Sequence, residues 1–183
     1  MTQRSSAAAS GRAVDLFLRT VGGISTLCGW IAAGMILASV LITCQMIFVR
    51  FFLRQSTIWQ TETVIYLMIA ATMLGLPYVQ KLRGHVNVDL LPLYLRPAPR
   101  KAMAVLVLLM GIGVIGMMGW YAYENWANAY ARGWRSASVW GPRLWVPYFA
   151  LPVGFGLFIL QMFADLVALL TGRDRAFGIQ EEL

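Results

Sequence analysis

The chain has 183 residues, of which 59% are apolar and only 13% charged, where soluble domains carry about 25% charged residues. Its net charge of +7 comes from basic residues scattered among short gaps rather than gathered into an arm or stripe, a pattern that argues against a nucleic-acid partner. Four runs, residues 20–49, 63–80, 102–123 and 144–164, contain no charged residue and are 30, 18, 22 and 21 residues long; at about 1.5 Å per helical residue each can cross a hydrocarbon core of roughly 30 Å.

The fold class expected is an all-α membrane protein: one four-helix transmembrane domain over residues 1–183, with spans at about 22–49, 62–80, 102–124 and 144–166. Residues 1–11 are Ser/Ala-rich without an apolar period and are expected to form a mobile tail. From Arg12 the pattern changes. Val14, Phe17, Leu18 and Val21 recur at helical spacing, with Arg12, Asp15 and Arg19 on the other side, which predicts a short amphipathic interfacial helix before the first span. Within that span Ser25, Gly29 and Ala33 repeat every four residues and permit close approach of a neighbouring helix. Cys28 and Cys44 lie about 24 Å apart on the same helix, too far for a disulfide, and read as packing residues. Residues 41–44 resemble a lipoprotein cleavage box, but the apolar run around them is twice as long as a secretory core, so the first helix is expected to stay attached.

Glu62 opens the second span, where a carboxylate favours the helix N-terminus or contacts a partner. Ala71 and Gly75 form a small-residue pair, Pro77 is expected to distort the helix, and Gly84 to cap it. Residues 86–95 are too short to span, yet Leu90, Leu91, Tyr94 and Leu95 give them an apolar side. They predict a second interfacial helix, capped by Asn87 or Asp89 and stopped by Pro97 and Pro99. In the third span Gly113, Gly116 and Gly119 line a groove, and in the fourth Ala150 pairs with Gly154. Glu124 and Asp165 are expected to be solvated markers of span ends.

Ten basic residues fall before the first span, in the second connection and in the C-terminal tail; five fall in the first and third connections. By the positive-inside bias both termini and the second connection are cytoplasmic. Trp59, Trp120, Trp126, Trp134, Trp140 and Trp145 then gather at the outer face, leaving Trp30 elsewhere. Chemistry is what the chain lacks. No Asp, Glu, Lys, Arg or His marks a pathway inside the four runs. His85 is the one histidine, too few for a bis-imidazole haem, and no C-x-x-C pair, phosphate loop or H-E-x-x-H motif occurs. Neither catalysis nor a metal or cofactor is expected, and His85 alone reads as a loop histidine bonded to backbone.

Residues 75–91, GLPYVQKLRGHVNVDLL, resemble the signature of the small, DctQ-type membrane subunit of tripartite ATP-independent periplasmic (TRAP) transporters. The resemblance rests on Glu62, Gly75, Arg83, His85, Val86, Val88 and Asp89, and in the last helix on Gly141, Pro142, Trp145, Pro152 and Gly154, similar to the family's Pro/Trp entry and Pro-x-Gly turn. It departs at Gln60 and Thr61, where many relatives place a second acidic residue before the first. The resemblance implies a non-catalytic subunit of the bacterial inner membrane. Its partners would be membrane lipids, a large membrane subunit that imports an organic acid on an ion gradient, and a periplasmic binding protein that delivers the acid. Glu62, Gly75, Arg83, His85, Asp89, Pro152 and Gly154 would serve structure or the partner interface, with Arg83, His85 and Asp89 pinning the cytoplasmic turn through charge-assisted hydrogen bonds. The alternative is the membrane anchor of an oxidoreductase, with His85 holding a haem.

Overall fold

The computed structural model describes residues 2–82 and 97–172, and among them every long element is a helix. Helix α1 (Thr2–Phe48) ends in a π-helical turn, Val49–Leu53. Then come α2 (Ile58–Lys81), α3 (Pro97–Ala131), the single turn α4 (Trp145–Tyr148) and α5 (Ala150–Leu170). Four of these helical stretches are long and apolar enough to cross a membrane, as the charge-free runs require: 11–53, 58–81, 101–131 and 145–170.

Two helices outrun their expected spans for the same reason. No proline precedes Pro77, so nothing breaks α1 between Thr2 and Phe48, and its 47 residues reach about 70 Å. The amphipathic segment after Arg12 is therefore not a separate interfacial helix. It continues α1, with Val21 buried, Val14, Phe17 and Leu18 half-buried, and Arg12, Asp15 and Arg19 exposed, and Phe17 meets Phe163 of α5 edge-on at 6.5 Å. Likewise α3 continues through residues 124–131 until Gly133, whose φ of 60° suits a residue without Cβ. There the Gly133 amide bonds the Tyr130 carbonyl and the Trp134 amide bonds that of Ala129, a Schellman ending. The second predicted interfacial helix, residues 86–95, and the Gly84 cap lie outside the described residues.

Helix α1 packs mainly on α2, and α3 on α5, while α2 and α5 pack on each other; the two outer helices thus flank a central pair. Helix α5 supplies most of the core, burying Phe155, Phe158, Gln161, Met162, Ala164, Leu166 and Leu169 among others. Small residues set the close approaches. A Cβ on Gly29 would lie 2.5 Å from the Tyr78 ring, and one on Gly154 would lie 2.6 Å from Met73 Cβ and 2.7 Å from its carbonyl oxygen. Ala71 is buried and Gly75 faces Ala32, whereas Ala33 is exposed and nothing in the chain lies within 4 Å of a Cβ on Gly113 or Gly116.

Helix α2 runs unbroken through the fully buried Pro77. Pro152 and Gly154 lie inside α5 rather than in a Pro-x-Gly turn; Pro152 has no amide to give the Tyr148 carbonyl, and the break between α4 and α5 falls beside it, at Phe149.

Candidate functional site

Polar side chains collect at the two ends of the helical bundle. At the Lys81 end, Ser25 Oγ of α1 donates to Gln161 Oε1 of α5 at 2.7 Å, and Gln161 Nε2 donates to Asp165 Oδ1 at 2.8 Å. Gln80 Nε2 of α2 donates to Asp165 Oδ2 at 3.0 Å, closing a chain across three helices. Ser25 and Gln161 are 2% and 4% exposed, so these bonds replace water rather than compete with it. Lys81 Nζ adds a clasp from α2 to α1, donating to the Gly22 carbonyl at 2.9 Å and to Thr26 Oγ1 at 2.7 Å. Asp165 is thus a half-buried acceptor joining helices, not a solvated boundary marker.

The opposite end is built by the first and third connections. Arg54, at φ 47°, reverses the chain after the π-helical turn, and Thr57 stands at the N-cap of α2. Its hydroxyl does not cap the helix; it accepts from Arg50 Nη2 at 2.8 Å. Between Trp134 and Leu144 the third connection folds into a tight hairpin, with Arg135 bridged to Arg143 and the Ser136 amide bonded to the Pro142 carbonyl at 3.0 Å. That hairpin sets Ser136 on α2, where its Oγ donates to Glu62 Oε1 at 2.6 Å. Glu62 therefore ties a connection to the helix rather than capping it. Its Oε2, like Gln60 Oε1, is buried without a hydrogen-bond partner. A cavity of about 350 Å³ opens beside it, lined by Arg50, Gln55, Ser56, Thr57, Ile58, Thr61 and Glu62.

Aromatic rings crowd the same end. Trp126 stacks on Tyr130 at 6.0 Å and touches Phe149 and Tyr123, and Tyr130 meets Trp145 edge-on at 5.6 Å. Glu124 stays exposed, as expected of a boundary residue, and accepts from Trp120 Nε1 at 3.1 Å. Trp30 stands apart on α1, 73% exposed. Among the described residues no group of three or more His, Cys, Asp or Glu could hold a metal ion. Arg83, His85 and Asp89 lie outside the described residues.

Residues 39–172 match the family model of the DctQ component of tripartite ATP-independent periplasmic transporters. The chain belongs to this family. No curated protein matches the sequence. As a DctQ component of a TRAP transporter, the chain is a multi-pass membrane protein with four helices able to span. The family match begins at Ser39, within α1, and takes in Glu62, Ala71, Gly75, Arg83, His85, Asp89, Gly113, Gly116, Pro152 and Gly154. Ser25, Gly29 and Ala33 precede it. Of the DctQ component's two polar clusters, the one around Glu62 thus lies wholly within the matched region, and the Lys81 clasp joins matched to unmatched chain.

Sequence reasoning named Ser25 and Glu62 but missed their partners, Gln161 and Ser136. One signal was available for Gln161 and Gln80. Each is the one amide side chain in its charge-free run, and an amide placed in hydrocarbon needs a partner.

Proposed function

We propose that this chain is the small permease subunit that widens the fixed scaffold of the large TRAP membrane subunit during ion-gradient-driven import of an organic acid brought by a periplasmic binding protein. The observation that carries this reading is where apolar surface is left uncovered. Within the apolar windows, 44% of the residues of the last span are buried by the chain itself, against 6% in the third and 11% in each of the first two. Helices α1, α2 and α3 thus leave most of their apolar surface facing outward, and only α5 is largely covered by the chain itself. Packing, rather than the hydrophobic effect, must give affinity between helices in lipid, and Gly113 and Gly116 leave room on α3 for it.

The polar groups support a non-catalytic role. They gather at the bundle ends and are used there to join helices, and among the described residues no chain of acidic, basic or histidine side chains crosses the membrane. The surplus of basic residues supports placing both termini and residues 81–101 in the cytoplasm and residues 124–143 in the periplasm of an inner-membrane protein. Arg83, His85 and Asp89 then belong to the cytoplasmic connection that follows Lys81 in the chain. The oxidoreductase reading has no second support beyond His85 and is not carried forward.

The test is co-purification with topology mapping. The tagged chain, co-expressed with the large membrane protein encoded beside it, is expected to retain that partner in mild detergent. With Cys28 and Cys44 replaced, an impermeant maleimide applied to intact cells is expected to label Ser136→Cys and not Ala98→Cys. Loss of the partner from the wild-type chain, or labelling of Ala98→Cys, contradicts the proposal.

A further inference from the structure

We propose that the cavity between Arg50 and Glu62 binds the phosphoethanolamine headgroup of a membrane lipid. Two opposite charges line this cavity of about 350 Å³, yet among the described residues no ion pair joins them; Arg50 bonds Thr57 and Glu62 bonds Ser136. Each keeps unused capacity. A guanidinium has five N–H donors, of which one is engaged by Thr57. Because the Thr57 hydroxyl accepts that bond instead of capping α2, the first amides of the helix beside Ser56 and Thr57 also lack a side-chain acceptor. Free guanidinium donors next to an uncapped helix N-terminus suit a phosphate.

At the other side of the cavity Glu62 Oε2 has neither solvent nor a donor. A buried carboxylate oxygen left so is unfavourable; turning the carboxylate about its soft terminal torsion toward the cavity that the residue lines would exchange the Ser136 bond for one from a bound donor. The group that satisfies it there must bring N–H donors and positive charge. A primary ammonium does both; a quaternary ammonium brings charge without donors, and an anionic glycerol headgroup brings no positive charge. The surroundings choose between a lipid and a free ester. Phe51, Phe52 and Leu53 on one side and Ile58 and Trp59 on the other are exposed, 76%, 66%, 55%, 40% and 47%, a setting suited to acyl chains at the membrane boundary, with Trp59 as an interfacial ring.

The test uses the full chain in complex with its large membrane subunit, delipidated in mild detergent and titrated by native mass spectrometry with dihexanoyl phosphatidylethanolamine, phosphatidylcholine and phosphatidylglycerol, and with soluble O-phosphoethanolamine. The wild-type complex is expected to prefer the ethanolamine lipid by about tenfold over the other two, the smallest effect expected of one charge-assisted hydrogen bond. Glu62→Gln should remove that preference while leaving binding of the glycerol lipid intact, and Arg50→Gln should weaken all three lipids together. Glu124→Gln, at an exposed carboxylate outside the cavity, should change nothing. Equal binding of the three lipids by the wild-type complex, as when a side chain of the large subunit fills the cavity, overturns the proposal. So does an ethanolamine preference that survives in Glu62→Gln. Soluble O-phosphoethanolamine binding as tightly as the lipid would assign the site to a free ester and overturn the lipid. If Glu62→Gln fails to assemble, the selectivity of the wild-type complex decides alone.

Discussion

At the Lys81 end of the bundle the hydroxyl of Ser25, the two glutamines and both oxygens of Asp165 are joined in one closed chain. At the Glu62 end one carboxylate oxygen and the amide oxygen of Gln60 are buried without partners, and Glu62 lines a cavity. The difference separates two uses of polarity in a membrane protein. A network whose members satisfy one another fixes the packing of its helices and has nothing left to offer. A network with unpaired acceptors is completed from outside the chain, by lipid or by another subunit. The matched family region contains the whole of the second cluster and only part of the first.

The largest effect should come from the packing that holds both ends in register. Gly154→Leu drives a side chain into Met73, including its backbone carbonyl at 2.7 Å, and overpacking of this kind costs about 1–3 kcal/mol or more. Yield of monodisperse protein and its thermal midpoint in detergent should both fall. Gly113→Leu, with nothing within 4 Å, should leave the isolated chain unchanged and act, if anywhere, on partner retention. Equal damage from the two would mean that Gly113 packs against another helix of the chain.

A smaller loss is expected at the closed cluster. Gln161→Leu deprives Ser25 of its acceptor and Asp165 of a donor; polar contacts between membrane helices are worth about 0.6–2 kcal/mol. Unfolding in a graded detergent mixture should show a destabilisation of that order, and Gln161→Glu should not restore it, because a carboxylate cannot donate to Asp165.

The smallest effect is expected at the open cluster. Ser136→Ala removes the donor to Glu62 Oε1, and because the hairpin around it is on the surface, the change should stay local. Hydrogen exchange should accelerate across residues 134–144 and not at Ser25 or Gln161. Acceleration at both ends would show that the clusters are not independent.

Much of this architecture can be read in the sequence because hydrocarbon excludes charge so strongly. The four charge-free runs correspond to the four long helices, and the facing of Val21 against Arg19 follows from helical period alone. Helix ends were less legible. Amphipathic and fully apolar segments can share one helix when no proline parts them, as in α1, and residues 124–131 contain neither glycine nor proline to stop α3 beyond the membrane run. The partners of the site residues could not be read at all from local pattern. Ser25 meets Gln161 across 136 residues, Gln80 meets Asp165 across 85, and Glu62 meets Ser136 across 74. Such pairs depend on which helices become neighbours, and periodicity along one helix does not encode that. The same holds for Gly154, whose small size is visible in the sequence while the Met73 backbone that requires it is not.

As proposed, this DctQ component supports transport without performing it. Uptake of labelled organic acid into proteoliposomes under an inward sodium gradient, with the periplasmic binding protein added, tests this directly when the small chain, the large subunit and the pair are reconstituted separately. Uptake is expected from the pair, little or none from the large subunit without its scaffold, and none from the small chain. Gradient-dependent uptake by the small chain alone would contradict it.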